Sequence, residues 1–456
     1  MGYKKRGSSL GLLVVLAVAI GLVGFVLFSP MFERNAPVVV VNGYNGYWNL
    51  KKPLKISIKD DSGIKAYKVI IRTGRGERSI KDEQLLVPLK NIELNIKPPR
   101  GSYTVKDKEV SIIVQATDKS QWNFFAGNVA NKIFKFIVDR KRPQISIVNN
   151  SYKISKGGCA LVVFKVQDAN LKDVYIESNH KKHFKAQPFY KEGYYIALLA
   201  WPIKDNSFRA HVIATDIASN SSRAYVPLYL KDKPYRLSNI KLSDKFLNGK
   251  IADLADDFDE TQGVDDKLER FKIINEDVRA KNEALIHKIT SVVPDEMISD
   301  FNIKRMYPLK NAKVVARFGD HRKYYYDGKF ISEAYHLGLD LASHAQAPIL
   351  SQNGGRVVFA DFNGLYGNSP IISHGLGLYT LYGHCSSLDV SVGDEIAPNT
   401  KIANTGKSGY AMGDHLHFGV LVQGIEVRPQ EWMDKEWIKL NITNIIKSAK
   451  EIIDQE

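Results

Sequence analysis

The sequence predicts a multidomain, predominantly β protein: a transmembrane helix, two all-β sandwiches, an α-helical connector and a histidine-rich C-terminal domain. Three observations predict this organisation. An uncharged apolar stretch lies near the N-terminus, short β-branched runs repeat at an offset of about 100 residues, and seven of the eleven histidines lie between His321 and His417. The length of 456 residues leaves room for about three domains of ordinary size.

The stretch from Leu10 to Phe28 predicts a membrane-spanning helix. Its 19 residues, at about 1.5 Å each, nearly match a hydrocarbon core of about 30 Å. Basic residues 4–6 precede it, and such charge stays in the cytoplasm, which places the chain after Phe32 outside. We assign residues 1–35 to a cytoplasmic tip and a single-pass anchor.

The alternative for the same stretch is a cleaved signal peptide. The apolar region of a signal peptide usually has about 7–15 residues and ends in a small-residue cleavage site. Here the stretch is longer and runs into Ser29-Pro30 without an Ala-x-Ala sequence. We therefore favour an uncleaved anchor.

Residues 36–234 carry the pattern of β-structure. Short β-branched runs alternate with clusters of Gly, Asn and Asp, which are typical turn residues. Four of these runs are residues 38–41, 54–58, 67–71 and 110–114. The pattern predicts a series of short strands.

This β-structured segment also repeats. Val114–Asp118 is echoed by Val212–Asp216, and an asparagine follows each of them, Asn128 and Asn220 respectively. The offset of about 100 residues equals the size of one immunoglobulin-type sandwich. The Ala-Thr-Asp then Asn pattern resembles bacterial immunoglobulin-like domains.

We therefore predict two tandem immunoglobulin-like sandwiches, at residues 36–141 and 142–234. The sequence contains no Cys–Trp–Cys framework, so antibody-type domains are not expected. We interpret the sandwiches as a spacer that holds the C-terminal domain away from the membrane. The alternative is that they bind a partner.

Residues 235–295 change to a helical pattern. Apolar residues recur every three or four positions from Phe246 to Phe258, and again on a stripe from Leu268 to Ile289 that includes Leu285. We predict a helical connector packed on a neighbouring domain, with a regulatory arm over the functional site as the alternative. Residues 435–456 carry a similar stripe and predict a C-terminal packing helix.

The formal net charge of +15 favours contact with polyanions but does not choose among them. Lysines are spread over the whole length, and no RNA-binding signature is present. We predict a solvated basic surface and no nucleic-acid partner. The two cysteines, Cys159 and Cys385, fall in different predicted domains, so no disulfide between them is expected.

Three histidine motifs indicate the chemistry of the C-terminal domain. They are His336-x-x-x-Asp340, Tyr382-Gly383-His384 and His415-Leu416-His417. Alternate residues of a strand share one face, so an H-x-H sequence directs both imidazoles into one space. Two imidazoles and one carboxylate bind Zn²⁺ well, and catalytic zinc sites use three protein ligands and a water. Histidines left over from the ligand set can take a proton from that water or stabilise an oxyanion.

With these motifs on the chain, residues from about Met306 to Met433 resemble the lysostaphin/LytM-type metallopeptidase domain of peptidoglycan endopeptidases. The resemblance covers a little under a third of the sequence. Besides the three motifs, it is carried by Val315–Arg322, Gly367-Asn368, His374–Gly377, Val392–Ile396, Thr405-Gly406 and Ser408-Gly409. We place the domain at residues 296–434.

The resemblance implies a mostly antiparallel β fold with a groove for an extended peptide. It also implies a zinc ion held at the positions of His336, Asp340 and His417. His384 and His415 would line the cleft as the general base and the oxyanion-stabilising group, and the two roles stay open between them. Each of these five positions holds a competent residue.

The sequence therefore predicts a membrane-anchored, zinc-dependent endopeptidase that hydrolyses peptide cross-links of bacterial peptidoglycan. Its partners would be the peptidoglycan peptide and the bacterial inner membrane, with the catalytic domain on the periplasmic side; envelope protein partners stay open. The alternative is a scaffold or activator of other wall hydrolases that does not cut, and the intact residue set argues against it. A third hypothesis is an enzyme held inactive by its own helical arm.

Overall fold

The computed structural model describes residues 9–98 and 107–456, with side chains from residue 11 onward. Basic residues 4–6, on which the predicted cytoplasmic tip depends, lie outside the described residues. The chain divides into two compact units, Met1–Arg142 with Asp216–Asn220 and Pro143–Thr215 with Ser221–Glu456. The architecture is predominantly β, with an apolar helix at the N-terminus.

The described α-helices are short except for the first, the fifth and the last. They are α1 Ser9–Phe28, α2 Asp244–Phe246, α3 Ala252–Ala255, α4 Lys267–Ile273, α5 Arg279–Thr290, α6 Pro429–Trp432, α7 Lys435–Ile438 and α8 Asn444–Gln455. Helix α1 is uncharged, and its segment Gly11–Phe28 has a mean hydropathy of 2.9 with none of it buried. This length and composition suit a membrane span and equally a signal sequence.

The first unit contains one six-stranded sheet. Its strands are β1 Val38–Val41, β2 Tyr47–Trp48, β3 Leu54–Thr73, β4 Gly76–Ile96, β5 Glu109–Asp118 and β6 Val129–Val138. The order is β1-β3-β5-β6-β2, and β4 pairs with β3. Alternate side chains such as Ile58, Val69 and Ile112 are fully buried, as expected for strands with one face on a core.

Strand β3 joins two runs that were predicted to be separate strands, 54–58 and 67–71. The intervening Asp60–Gly63 segment does not form a turn. Asp60 Oδ1 accepts a hydrogen bond from Gly63 N at 2.7 Å, and the pairing register shifts on either side of Ile64. A β-bulge therefore absorbs the polar cluster inside one long strand.

The repeated Asp and Asn residues have the same structural role in both repeats. Asp118 Oδ1 accepts from Asn128 N and its Oδ2 from Asn128 Nδ2, both at 2.8 Å. Asp216 makes the same two contacts with Asn220, at 2.7 and 2.8 Å. Both aspartates are completely buried. The repeated Asp and Asn residues thus form buried hydrogen bonds that stabilise the connection between two strands. The immunoglobulin-type topology stays a prediction.

The second unit begins with two four-stranded sheets, ordered β11-β10-β14-β15 and β12-β13-β9-β7, and a small pair, β16-β8. Their strands are β7 Gln144–Asn150, β8 Lys153–Ser155, β9 Cys159–Gln167, β10 Leu171–Ser178, β11 His183–Lys185, β12 Gln187–Pro188, β13 Tyr194–Ala200, β14 Ala210–Asp216, β15 Ser221–Tyr225 and β16 Tyr229–Lys231. Strand β9 is almost wholly buried, which fits its run of apolar residues.

The C-terminal part of the second unit is an eight-stranded sheet with two smaller sheets. Its strands are β17 Leu237–Lys241, β18 Lys313–Ala316, β19 His321–Tyr326, β20 Lys329–Tyr335, β21 Leu339–Ala342, β22 Pro348–Ser351, β23 Gly355–Phe362, β24 Asn368–Ser373, β25 Leu378–Gly383, β26 Ser387–Leu388, β27 Glu395–Ile396, β28 Thr400–Asn404, β29 Leu416–Val422 and β30 Ile425–Val427. The large sheet has the order β18-β21-β29-β25-β24-β23-β27, with β30 on β29, and its pairings are antiparallel.

One continuous hydrophobic core runs through residues 154–228 and 301–453 of the second unit. Polar contacts join the same parts. Lys185 N donates to Gln423 Oε1 at 2.8 Å, and Gln423 Nε2 donates back to Lys185 O at 3.0 Å. Helix α8 packs its buried Ile446, Ala449 and Ile453 into this core. The segment 143–234 is therefore packed against the C-terminal domain, and the predicted boundaries at 234/235 and 295/296 stay predictions.

The helical segment departs from the predicted stripe at one point. Residues 274–278 form a π-helical stretch between α4 and α5. A π-turn holds one residue more than an α-turn, so the apolar stripe after it shifts by one position. Leu285, predicted to lie on the stripe, is 39% exposed, and Ile286 is 1% exposed in its place.

This shift predicts unequal effects for two neighbouring substitutions. Ile286→Ala removes a buried side chain and should cost about 2–5 kcal/mol of unfolding free energy. Leu285→Ala, the matched control on the exposed side, should cost about 0.5 kcal/mol or less. Thermal and urea unfolding of the full chain would measure both, and an equal or larger loss for Leu285→Ala would contradict the shifted stripe.

Candidate metal centre

The register of the large sheet brings two of the predicted ligands together. Asp340 on β21 is the direct partner of His417 on β29. Gly383, the last residue of β25, is the partner of His417 on its other side. His384 follows Gly383, so it enters the same region from the neighbouring strand. Three adjacent strands thus converge on one point.

His336 reaches this point from the loop before β21. Its backbone N–H donates to Asp320 O at 2.9 Å, and its ring Nδ1 lies 3.0 Å from Arg317 O. A carbonyl oxygen only accepts, so Nδ1 carries a proton, and in the neutral form of the ring Nε2 presents a lone pair. The loop therefore sets both the position of the imidazole and its tautomer.

Three ligand atoms form a small triangle. His336 Nε2 lies 3.0 Å from Asp340 Oδ1 and 3.2 Å from His417 Nδ1, and His417 Nδ1 lies 2.9 Å from Asp340 Oδ1. All three residues are buried, with 7–8% exposure. The structure therefore brings the three predicted metal ligands together.

The donor set fits a tetrahedral zinc ion. With ligand distances of about 2.0–2.2 Å, neighbouring ligand atoms of such an ion lie about 3.3 Å apart, close to the triangle observed here. His336 Nε2 and Asp340 Oδ1 face each other at 3.0 Å in this buried space. A proton or a cation between the imidazole nitrogen and the carboxylate stabilises such a contact, and a zinc ion at the centre of the triangle would do so for all three atoms.

Burial raises the pKa of Asp340, but the contacts with His336 and His417 outweigh it and hold this pKa well below its ordinary value. Burial also lowers the pKa of His417 against the opposing effect of Asp340. The group thus combines a carboxylate with neutral imidazole, which are the protonation states that bind metal.

Gly338 gives the triangle its space. A Cβ at this position would lie 2.4 Å from both Cε1 and Nε2 of the His417 ring. Any side chain there would push the imidazole away from Asp340. The glycine between the two ligands of the H-x-x-x-D motif is therefore required by packing.

The two predicted catalytic histidines lie beside the triangle. The His384 ring centroid is 4.8 Å from that of His415 and 5.8 Å from that of His417. His415 Nε2 lies 3.7 Å from Asp340 Oδ2. Burial, together with the charges of His417 and His415, lowers the pKa of His384 to about 3. His384 is therefore a neutral imidazole at physiological pH.

Both histidines present the same nitrogen to the cleft. His384 Nδ1 lies 2.9 Å from Ser408 O, and His415 Nδ1 lies 2.8 Å from Gly413 O. These carbonyls fix the proton on Nδ1 and leave Nε2 as an acceptor. His384 also has a φ of 66° and donates its backbone N–H to Tyr366 O at 2.7 Å. Such left-handed backbone is uncommon outside glycine and is often found at functional sites.

All five side chains line one open cavity of about 520 Å³. Its walls also include Arg279 from helix α5 and Tyr366 and Tyr410 from loops of the C-terminal domain. None of these three was predicted from the sequence. Arg279 is far along the chain from every histidine motif, and no spacing rule connects it to them. Tyr366 and Tyr410 have no sequence feature that distinguishes them from ordinary core tyrosines.

His374 and Cys385 are held in structural contacts. His374 uses both ring nitrogens, to Gly354 O and Thr380 Oγ1, each at 2.8 Å, and burial lowers its pKa to about 4. Cys159 and Cys385 are buried free thiols. Cys385 Sγ donates to Tyr382 O at 3.3 Å, and burial raises its pKa to about 12, so it does not compete as a thiolate ligand.

Comparison with known proteins now identifies the class. The family model described as Peptidase family M23 matches residues 334–429, which include all five histidine and aspartate positions. The chain therefore carries a Peptidase family M23 domain.

Three curated relatives are similar to part of the chain. An "Uncharacterized metalloprotease" of Buchnera aphidicola is 29% identical over 160 residues, 33% of this chain and 43% of its own length. The "Peptidoglycan DD-endopeptidase ShyB" of Vibrio cholerae is 32% identical over 119 residues, 26% and 27% of the two chains. The "Murein hydrolase activator EnvC" of Escherichia coli is 38% identical over 81 residues, 18% and 19%.

The matches thus span between 19% and 43% of these relatives' lengths. Their names divide between a peptidase and an activator of hydrolases, so the activity of the whole chain is a matter for proposal.

The tight fit at Gly338 yields a prediction for metal binding. Gly338→Ala should displace the His417 ring and weaken zinc affinity roughly 10- to 100-fold, the usual cost of disturbing the support of a ligand. Competition with a chromogenic chelator would measure it. Gly249→Ala is the control, because a Cβ there has nothing within 4 Å. Unchanged affinity in Gly338→Ala would show that the His417 ring does not need this space.

Proposed function

We propose that this chain is a membrane-anchored, zinc-dependent endopeptidase that hydrolyses peptide cross-links of bacterial peptidoglycan. The observation that carries the proposal is the triangle of His336 Nε2, Asp340 Oδ1 and His417 Nδ1 beside two further imidazoles in an open cavity. Residues 296–434 would form the peptidase domain. Similarity to a peptidoglycan DD-endopeptidase supports the substrate class.

His336, Asp340 and His417 would hold the zinc ion. A zinc ion bound by three protein ligands polarises a carbonyl and lowers the pKa of its water to about 7. The residues around the zinc ion shape the cleft and hold the imidazole rings in fixed orientations. The carbonyls of Arg317, Ser408 and Gly413 hold three imidazoles in one tautomer each, so no reorientation precedes the reaction.

His384 and His415 would transfer the proton of the attacking water. An imidazole with a free Nε2 lone pair can accept the proton of an attacking water. Once protonated, the same Nε2–H becomes a donor to the oxyanion or to the leaving amine. Both residues have this arrangement, so the geometry suits either of them for either role.

The helical segment would serve as a wall of the cleft. Asn282 Oδ1 accepts from Leu365 N at 2.9 Å, and Asn275 Nδ2 donates to Ser332 Oγ at 2.8 Å. Arg279, one turn before Asn282, lines the cavity. These contacts and the shared apolar cluster with Tyr324 favour a fixed wall over a removable inhibitory arm.

Helix α1 would anchor the chain in the inner membrane and leave the domain on the periplasmic side. Its uncharged, unburied 18-residue segment supports a span. N-terminal sequencing of the chain from membranes tests this, because a signal peptide would be missing from the mature protein.

The β-segments 36–141 and 142–234 would space or support the peptidase domain.

The second candidate function is activation of other wall hydrolases without cutting. The likeness to a murein hydrolase activator favours it. A non-cutting protein has no need of a complete ligand set, whereas the three ligands here lie within about 3 Å of one another. Metal content together with product analysis separates the two candidates.

Substitutions in the purified full chain should separate metal binding from catalysis. His417→Ala should lose zinc and all digestion of sacculi. His415→Ala should retain zinc and lose roughly 10²- to 10⁴-fold in rate, the usual contribution of a general acid or base. Zinc analysis and mass spectrometry of released muropeptides measure both.

His344→Ala is the control for these variants, since His344 is exposed and does not line the cavity. It should behave as the unsubstituted chain does. Undiminished cleavage by His417→Ala would contradict the assignment of His417 as a zinc ligand. Zinc-loaded protein that releases no peptide products, yet stimulates other hydrolases, would favour the activator.

A further inference from the structure

A second groove adjoins the catalytic cavity. It has a volume of about 1200 Å³ and runs along β17 and β18. Val315, Ala316 and Arg322 line both the groove and the cavity. Ala316 is the register partner of Asp340, so the groove begins beside a proposed zinc ligand.

Strand β18 forms the floor of this groove as an edge strand. Within the described part of the chain it ends the order of the large sheet. Val314 and Val315 are 43% and 56% exposed. An extended peptide can lie along such an edge, with main-chain contacts to the strand and side groups in the flanking pockets. A substrate chain that leaves the cleft along β18 therefore enters the groove.

The groove is strongly basic. Among the described residues that line it, five are cationic: Lys233, Arg236, Arg317, Arg322 and Arg428. Asp320 is the acidic residue among them, and it is already engaged. Its carboxylate accepts from Ser238 Oγ at 2.6 Å and lies 3.3 Å from Arg322 Nε.

Two buried polar atoms in the groove have no hydrogen-bond partner among the described residues. One is a donor, Arg428 Nε, and the other is an acceptor, Gln430 Oε1. Arg428 Nε lies 3.7 Å from Glu431 Oε1, beyond hydrogen-bond distance, and the guanidinium also contacts the Tyr235 hydroxyl. Burial raises the pKa of Glu431 to about 7, so its negative charge is incomplete near neutral pH. The guanidinium is therefore only partly compensated.

The cations also repel one another. The positive charge of Arg428 is the largest cause that lowers the pKa of Lys233, followed by burial and by Lys231, with Arg317 also contributing. Like charges gathered around one partly buried space favour an anion there. Together with the unpartnered donor, this crowding indicates a place for a ligand carboxylate.

We propose that this basic groove binds a free carboxylate of the peptide substrate, with Arg428 donating to the carboxylate and Gln430 Oε1 accepting from a neighbouring amide N–H. The proposal rests on the proposed endopeptidase function and adds a specificity subsite to it. Arg428 offers a planar fork suited to a carboxylate, and the acceptor beside it suits a peptide rather than a simple inorganic anion. The enzyme would then prefer cross-links whose stem peptides carry free carboxylates.

The test compares two forms of one substrate. Cross-linked muropeptide dimers are isolated from sacculi, and a portion is amidated on its free carboxylates with ammonia and a carbodiimide. The ratio of kcat/KM for the acid form over the amidated form is measured with the zinc-loaded full chain in detergent. We expect a ratio of roughly 10 to 100, as for a hydrogen bond to a charged group.

Groove variants should lose this preference. Lys233→Met/Arg236→Met changes two side chains at the rim, and its ratio should fall close to one. Arg428→Lys keeps the charge but loses Nε and the fork, and its ratio should fall as well. Lys439→Met/Lys447→Met is the matched control, with the same charge change at exposed positions outside the groove, and should keep the original ratio. A similar fall in this control would attribute the preference to net charge and overturn the subsite.

Binding without cleavage keeps the subsite separate from the proposed activity. Fluorescence anisotropy with labelled acid and amidated muropeptides is measured on the His417→Ala chain, with and without the groove substitutions. A preference that the groove substitutions remove supports the subsite even if no protein cleaves. Equal binding of both forms overturns the subsite while cleavage stands. Tighter binding of a glycerol phosphate polymer than of the acid muropeptide also overturns the carboxylate subsite, because the groove would then be a phosphate-binding site.

Discussion

The convergence of His336 Nε2, Asp340 Oδ1 and His417 Nδ1 within 2.9–3.2 Å is the constraint on which the rest of the C-terminal domain depends. A proton or a cation must lie between the imidazole nitrogens and the carboxylate for these atoms to approach so closely in a buried space. Register between β21 and β29 fixes two of the atoms, and the Arg317 carbonyl fixes the third. The fold thus holds the three atoms in fixed positions relative to one another.

Elements of the second unit outside the His336–Asp340–His417 triangle pack around the cavity and the large sheet. Helix α5 provides a wall with Arg279, and the segment 143–234 shares its hydrophobic core with the large sheet. The basic groove lies where β17 and β18 come together, next to Arg428 at the start of helix α6. A peptide bound along β18 would contact parts of the chain that are distant in sequence. Cleft and groove therefore form one continuous surface.

The sequence allowed the site to be predicted more completely than its surroundings. The five residues of the cleft belong to local motifs. Strand periodicity predicted that His415 and His417 share a face; β29 begins at Leu416, and both histidines line the same cavity. The position of Arg279 depends on how a helix packs against a sheet, which spacing does not encode. The burial of Ile286 in place of Leu285 depends on a π-turn that hydrophobic periodicity assumes to be absent. The bulge at Asp60–Gly63 was mistaken for a turn because its residues favour both.

The central claim is that these three side chains hold a zinc ion, and diffraction from crystals of the protein grown with zinc tests it most directly. Anomalous difference maps on the two sides of the zinc absorption edge locate the ion without any assumption about activity. One strong peak is expected about 2.0–2.2 Å from His336 Nε2, Asp340 Oδ1 and His417 Nδ1, with a fourth position open to the cavity. A peak held by other side chains, or no peak among these three, would contradict it.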